Sequence, residues 1–290
     1  MDKPTVLVQL DTDPLPSVFD RVVAVDAGVQ HVFSYGGVTA DNVMSLVHGC
    51  IFTRGPKELH RTAIFIGGSN VNDGEVLLAA VRKHLLVEYG LSVSIMLDSN
   101  GANTTAAAAV RAAARHVDLS RTTSLVLGGT GPVGQRVARL LAKAGGTVRI
   151  GSRQFERAEA TCHEIRKNLP GANVIPVAVG SSSDGPKALE SCELVIAAGA
   201  PGVVLLPKKI RDTCQTLKVA IDLNGVPPTG IEGVELTDKA SARDNVIAYG
   251  ALGVGGTKMK IHRAAIGELF TRNDAILDID AIYQIAQTID

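Results

Sequence analysis

Gly129, Gly131 and Gly134 stand at the spacing G-x-G-x-x-G within Thr123-Ser124-Leu125-Val126-Leu127-Gly128-Gly129-Thr130-Gly131-Pro132-Val133-Gly134. In that spacing the first glycine permits a tight turn, the second lets backbone approach a pyrophosphate, and the third lets a helix pack on a strand. Phosphates held there meet the unpaired N–H groups and the dipole of a helix N-terminus, with Thr130, Pro132 and Val133 completing the turn. Such glycines also occur in turns that hold no ligand. Here an apolar run precedes them, Val137, Leu140 and Leu141 follow at helical spacing, and a second strand, Thr147-Val148-Arg149-Ile150-Gly151, comes where one helix requires it. That setting favours a bound dinucleotide.

The tip of the second strand distinguishes the two nicotinamide dinucleotides. An NAD site places Asp or Glu about 20 residues past the glycines, on the ribose hydroxyls, whereas an Arg accommodates the 2′-phosphate of NADP. This chain has Ser152, Arg153 and Arg157 there and no acid at the strand tip. A serine hydroxyl and a planar guanidinium suit phosphate oxygens, so NADP is the expected cofactor. The alternative is that Arg153 and Arg157 are solvated charges at a helix start, where Glu156 is the acid that a helix N-terminus favours. Ala198, Gly199 and Asn224 end later strands, at the edge where open α/β sheets bind ligands.

Around these residues, short apolar runs alternate with helical patterns. The expected strands are Thr5 to Leu10, His31 to Tyr35, Thr62 to Gly68 and Val93 to Leu97, then, past the glycines, Asn173 to Val177, Glu193 to Ala200 and Val219 to Leu223. Helices are expected from Val18 to Asp26 behind a Ser17 cap, from Thr39 or Asp41 through Val47, from Glu75 to Glu88, from Lys258 to near Arg272, and from Ala281 to Thr288. Asp98-Ser99-Asn100-Gly101-Ala102-Asn103-Thr104-Thr105 interrupts the alternation before an Ala-rich helix reaching His116. This is the pattern of parallel α/β sheets. The expected domains are 1–118, α/β and substrate-binding; 119–250, a Rossmann-type dinucleotide domain; and 251–290, helices returning to the first.

With 290 residues, 46% of them hydrophobic, the chain can bury a large core; 3% aromatics and no Trp leave that core to Ala, Val, Leu and Ile. Twenty-nine basic residues balance 29 acidic ones, so no net field draws nucleic acid or an anionic membrane. Cys50, Cys162, Cys192 and Cys214 lie far apart and read as free thiols of a reducing compartment. No apolar run has the length of a membrane span, and the N-terminus carries no signal-peptide pattern, so a cytoplasmic location is expected. The histidines have no metal-ligand spacing, and Asp11 and Asp13 beside proline read as turn-shaping acids; no metal is expected.

Several blocks together resemble the NADP-dependent methylene-tetrahydromethanopterin dehydrogenases of one-carbon-oxidising bacteria, relatives of the methylene-tetrahydrofolate dehydrogenases. They are Asp11-Thr12-Asp13 with Pro16-Ser17-Val18-Phe19-Asp20, Ile51-Phe52-Thr53-Arg54-Gly55, Thr62 to Gly68, Leu97 to Gly101 with Asn103-Thr104-Thr105, the glycine fingerprint, and Gly250-Ala251-Leu252-Gly253-Val254-Gly255-Gly256. The resemblance implies a pterin pocket between substrate and NADP domains and a homo-oligomer, a trimer or hexamer. It also implies oxidation of a methylene-pterin to a methenyl-pterin cation. Family members differ in accepting the methanopterin carrier, the folate carrier or both.

Hydride then leaves a carbon flanked by two nitrogens, and no proton need move in that step. What the protein supplies is alignment of two rings, which can be worth about 7 to 11 kcal/mol, and stabilisation of positive charge as it develops. Asp20 is the expected carboxylate for that charge, or else a solvated helix residue. Lys258 is expected at a substrate carboxylate or pterin edge, or else at an exposed helix start, with His262 four residues on along the same face. Ser17, Asp98 and Asn100 are the remaining expected substrate contacts, although Asp98 could equally stabilise the next turn. A hydroxy-acid dehydrogenase on a similar plan would need a proton acceptor. A non-catalytic NADPH sensor would bind cofactor without turnover.

Overall fold

The structure, a computed structural model, describes residues 3–180 and 184–289. In chain order its elements are β1 (Val6–Asp11), α1 (Val18–Asp26), β2 (His31–Tyr35), α2 (Met44–Phe52), β3 (Thr62–Gly67), α3 (Val71–His84), β4 (Ser94–Leu97), α4 (Ala102–Ala113), β5 (Thr123–Leu127), α5 (Pro132–Lys143), β6 (Thr147–Ser152) and α6 (Phe155–Asn168). They continue with β7 (Val174–Ala178), α7 (Asp184–Leu189), β8 (Leu194–Ala197), α8 (Lys208–Arg211), β9 (Val219–Asp222), β10 (Lys239–Arg243), β11 (Val246–Tyr249), α9 (Ala251–Glu268), β12 (Ile276–Leu277) and α10 (Ile279–Gln287). Among the described residues no helix is long and apolar enough to cross a membrane. All four cysteines are free thiols, with Cys50, Cys162 and Cys192 buried.

Two compact units divide the chain. One runs to Thr104 and resumes at Met259; the other is Thr105–Lys258. The first holds a five-stranded sheet in the order β12-β4-β3-β1-β2, parallel throughout. Its inner strands β3 and β4 are buried along their whole length, as parallel strands covered by helices on both faces must be. The aliphatic core on one face joins Val8, Leu10, Ile64 and Ile66 to Val47 and Ile51 of α2 and Leu77 and Val81 of α3.

The second unit holds seven strands in the order β10-β11-β9-β8-β5-β6-β7, parallel except for the β10–β11 hairpin. Leaving out β10, this is the doubly wound order of a dinucleotide-binding sheet, which reverses between β5 and β8. In the first unit the order reverses between β1 and β3. The fold is therefore α/β, with a Rossmann-type sheet and a second parallel sheet.

Helices α1 and strand β2 fall where the sequence places them, with Ser17 Oγ accepting from the Asp20 N–H at 3.3 Å. Three helices depart most from their expected starts. The second helix starts at Met44 rather than Thr39 or Asp41, because Asn42 is spent on a turn in which its Oδ1 accepts from Thr39 N–H at 2.9 Å. The third begins at Val71 behind Asn70, whose side chain accepts from the N–H groups of Asn72 and Asp73, and stops at His84 before the Leu86–Leu91 bridge. The third change is largest: α9 starts at Ala251, so the glycine cluster expected as a loop lies inside a helix. Glycine costs about 1 kcal/mol relative to alanine there. Two of these glycines are imposed by packing, since a Cβ on Gly250 would lie 2.0 Å from the Glu235 carbonyl oxygen and one on Gly253 1.8 Å from that of Asp238.

Strand β12 adds the fifth strand to the first unit's sheet after the whole second unit has intervened in sequence. Ser94 at the start of β4 anchors it: its hydroxyl donates to the Arg272 carbonyl at 2.8 Å and accepts from the Ala275 N–H at 3.2 Å. Ser94 is fully buried, so Ser94→Ala leaves the Ala275 donor without this acceptor. Urea unfolding of the variant is expected to show a loss of about 1–3 kcal/mol, and an unchanged midpoint would remove Ser94 as the anchor.

Candidate functional site

At the carboxyl ends of β5 and β8 the two halves of the doubly wound sheet come together. The left-handed residue of the turn is Gly128, at φ +68°, one position before the fingerprint's first glycine. A Cβ there would lie 2.6 Å from Gly199 Cα, so the loops leaving β5 and β8 touch through bare backbone. Gly129 is packed instead: its Cβ would meet Ile150 Cγ2 at 2.8 Å and the Val126 carbonyl oxygen at 2.9 Å. Gly134 in the first turn of α5 faces the Gly128 carbonyl oxygen, where a Cβ would stand at 2.3 Å. The sequence alone assigns the turn to Gly129; the doublet Gly128-Gly129 was the signal that pointed one residue earlier.

Gly131 differs from these three. A Cβ on it would meet nothing closer than the Gly128 carbonyl oxygen at 3.4 Å and the Ala198 carbonyl oxygen at 3.7 Å, ordinary van der Waals distances. Its φ is −83°, which any residue adopts. Nothing inside the protein demands glycine at this cap of α5, and that is what a cradle for a closely approaching phosphate looks like. Pro132 follows at the first helical position, and the first-turn N–H groups of Val133 and Gly134 have no acceptor within the helix. Gln135 Nε2 donates to the Thr130 carbonyl at 2.8 Å and holds the turn.

Ser152 ends β6, buried, with its Oγ accepting from Gln154 N–H at 3.2 Å. Arg153 beyond it is exposed, as is Arg157 in the first turn of α6. Arg153 and Arg157 thus offer guanidinium groups to solvent, and the one acid nearby, Glu156, is exposed in the first turn of α6 rather than at the strand tip. Ala198 and Gly199 follow β8, with Ala198 N–H donating to the Leu127 carbonyl at 2.8 Å. Asn224 follows β9 and its side chain works within the loop: Oδ1 accepts from Val226 N–H at 3.0 Å and Nδ2 donates to the Pro228 carbonyl at 3.1 Å.

Asp222, which sequence reasoning passed over, organises that loop. It is fully buried at the end of β9, and its carboxylate accepts from Asn224 N–H at 2.9 Å and Ile231 N–H at 2.7 Å. Burial pushes its acid strength down, raising the pKa, while the backbone donors pull the other way. An acid closing a strand that is otherwise apolar was its only signal in the sequence.

The corresponding edge of the first unit is polar and closely tied. Asp11 accepts from Asp13 N–H at 2.9 Å and Ser17 N–H at 3.1 Å, and Asp13 accepts from Ser69 N–H at 3.0 Å and Ser69 Oγ at 2.9 Å. Both acids shape turns, as their neighbouring proline suggests. Asp98 is buried, and its carboxylate accepts from the N–H groups of Asn103 and Thr104 and from Thr104 Oγ1 at 2.6 Å, fastening the start of α4. Asn100 stands exposed in left-handed conformation, φ +56°, with its N–H on the Gly68 carbonyl. Asp98 and Asn100 are therefore brought to the same edge as Ser17, but only Asn100 turns outward.

His262 is fully buried on α9, its ring stacked on Phe65 at 5.7 Å and tilted against Phe19 at 6.2 Å. Phe19 and Phe65 were not singled out from the sequence, where isolated aromatics carry no positional signal. Asp20, half-buried, lies in the first turn of α1 next to Phe19, and Lys258, also half-buried, lies one helical turn before His262.

Comparisons with known proteins give the family and the fold. The family model described as methylene-tetrahydromethanopterin dehydrogenase, N-terminal, matches residues 18–100. The bifunctional protein MdtA of Methylorubrum extorquens is 40% identical over 286 residues, covering 97% of this chain and 98% of that one. The NAD(P)-dependent methylenetetrahydromethanopterin dehydrogenase of the same organism is 29% identical over 280 residues, 93% of each chain. Among solved structures, shikimate 5-dehydrogenase from Listeria monocytogenes, in complex with shikimate and NAD, superposes with a TM-score of 0.59 over 97% of this chain and 96% of that one; at 15% identity it shows the shared fold alone. With a relative this similar along almost its whole length, the chain belongs to the methylene-tetrahydromethanopterin dehydrogenase family.

Proposed function

We propose that the protein oxidises methylene-tetrahydromethanopterin to methenyl-tetrahydromethanopterin with NADP⁺, by direct hydride transfer, in one-carbon metabolism. The observation that carries the cofactor half is the combination of Gly131, a glycine with no packing reason, and a β6 tip where Ser152 and Arg153 stand in place of an acid, with Arg157 in the helical turn that follows. The substrate half rests on similarity along the chain to a relative named for that substrate. Bound nicotinamide supplies the hydride acceptor.

The residues of this chain do the remaining work. Gly131 with the first-turn amides of α5 holds the pyrophosphate, Gly129 and Gly134 shape the turn by their packing, and Arg153 and Arg157 take the 2′-phosphate with the Ser152 hydroxyl. Asp20 stabilises the positive charge that develops on the pterin, and Lys258 binds a polar group of the carrier. Ser17 and Asn100 offer hydrogen bonds to the substrate. Asp98 acts by fixing the Asn100 loop, and His262 by setting the position of Phe19. No proton acceptor is needed at the reacting carbon, which separates this reading from a hydroxy-acid dehydrogenase. The working form is a homo-oligomer in the cytoplasm.

The decisive assay pairs each carrier, methylene-tetrahydromethanopterin and methylene-tetrahydrofolate, with each cofactor and follows nicotinamide reduction. Turnover is expected with NADP⁺ and the methanopterin carrier, and silence with both carriers would sink the proposal. Arg153→Ala is expected to cut the preference for NADP over NAD by about 1.5 to 3 kcal/mol, the range of a hydrogen bond to a charged group; an unchanged ratio would put the phosphate elsewhere. Two glycine variants separate binding from folding. Gly131→Ala should melt like the parent yet bind NADPH at least tenfold more weakly, whereas Gly134→Ala should lower the melting temperature, overpacking of this kind costing about 1–3 kcal/mol. The reverse pattern would remove the phosphate from the α5 terminus.

A further inference from the structure

Four large apolar side chains lie exposed near the carboxyl end of the second unit's sheet on the β8–β9 side: Val203 at 44%, Val204 at 40%, Val226 at 53% and Leu252 at 65% exposure. They come from three separate segments that the backbone draws together. A Cβ on Gly202 would lie 3.8 Å from the Pro227 carbonyl oxygen, and one on Gly225 would lie 4.0 Å from Ala251 Cβ. The loop after β8, the loop after β9 and the first turn of α9 therefore adjoin.

These segments are held firmly. Asp222 and Asn224 fasten the 224–231 loop through four hydrogen bonds, from Asn224 N–H, Ile231 N–H and Val226 N–H and to the Pro228 carbonyl. The start of α9 is seated by Gly250 and Gly253 against the carbonyls of Glu235 and Asp238. A polar framework that holds exposed apolar side chains in fixed positions calls for a flat, partly apolar ligand.

The doubly wound sheet says which part of a dinucleotide reaches them. Its two halves each take one mononucleotide, on opposite sides of the β5/β8 reversal. Arg153 and Arg157 at the β6 end mark that half as the adenosine side, which leaves β8, β9 and β11 for the nicotinamide. On this ground, and resting on the dinucleotide reading above, we propose that Leu252 and Val226 form an apolar shelf that covers one face of the nicotinamide ring, keeps water from it and leaves the opposite face as the only one that can accept hydride. Val203 borders the shelf. Ring alignment of this kind is where a reaction without proton transfer gains its rate.

Leu252→Ala and Val226→Ala test this, with Leu252→Met as the conservative control. Both side chains are exposed, so truncating them removes little packing and unchanged melting curves are expected for all three. NADPH titration followed by nicotinamide fluorescence should show a smaller emission gain on binding to Leu252→Ala than to the parent, whereas the affinity for 2′,5′-ADP, which lacks the ring, should not change. In turnover, kcat should fall by roughly tenfold in Leu252→Ala and recover in Leu252→Met. With the methylene carbon deuterated, the parent should place deuterium on one face of the product ring, and Leu252→Ala on both.

Parent-like emission, kcat and deuterium placement in both truncations would overturn the shelf, and so would a parallel loss of 2′,5′-ADP affinity, which would mean a change beyond the ring. If the parent binds NADPH and turns over no pterin, the proposed reaction fails while the emission measurement still decides the shelf.

Discussion

The contact between Gly128 and Gly199 is the constraint from which the second unit's geometry follows. Two loops leaving neighbouring parallel strands approach so closely that a Cβ on the first would fall 2.6 Å from the backbone of the second. Any side chain at position 128 would part β5 from β8 at their carboxyl ends and move the N-terminus of α5 with them. A left-handed backbone at Gly128 adds a second reason for glycine, since L residues with a Cβ pay a steric cost there. The closeness of β5 to β8 at their carboxyl ends and the aim of α5 both depend on this one approach.

Buried carboxylates play one recurring part in both units. Asp222 at the end of β9, Asp98 after β4 and Asp11 at the end of β1 each accept two or more hydrogen bonds from nearby donors, and each fastens the loop that leaves its strand. Leaving such an acid unpaired away from water would be costly, so backbone N–H groups of the loop gather around it. The loops are thereby fixed from beneath. What these loops then turn outward includes Asn100 in the first unit and Val226 in the second.

Membership of a dehydrogenase family and a Rossmann-type sheet are consistent with this division of labour. The second unit's sheet is complete within Thr105–Lys258, whereas the first unit's lacks its fifth strand until Ile276–Leu277 joins β4. Pairing across so much intervening chain carries a loop-closure cost that grows slowly with length, which makes a long insertion tolerable for stability. Ser94, bonded to residues 178 and 181 positions away, is the local device that holds the late strand in place.

The sequence by itself determined the parallel α/β class, the β5-turn-α5 unit, the absence of an acid at the β6 tip and the family blocks, because each is a local pattern of spacing and residue type. Helix α1 and its Ser17 cap were legible for the same reason: cap, first turn and apolar periodicity all sit within ten residues. Only the tertiary structure decided that Gly128 carries the turn, that Gly131 alone among the three fingerprint glycines is free of tight packing, that Asp98 and Asn224 spend their side chains on loops, and that the glycines after Gly250 are helical. Each of these depends on atoms distant in sequence: Gly199 against Gly128, Glu235 and Asp238 against Gly250 and Gly253. Local spacing can state which residues are able to do chemistry, but whether a side chain is consumed in holding the fold is settled by neighbours that the chain brings back from far away.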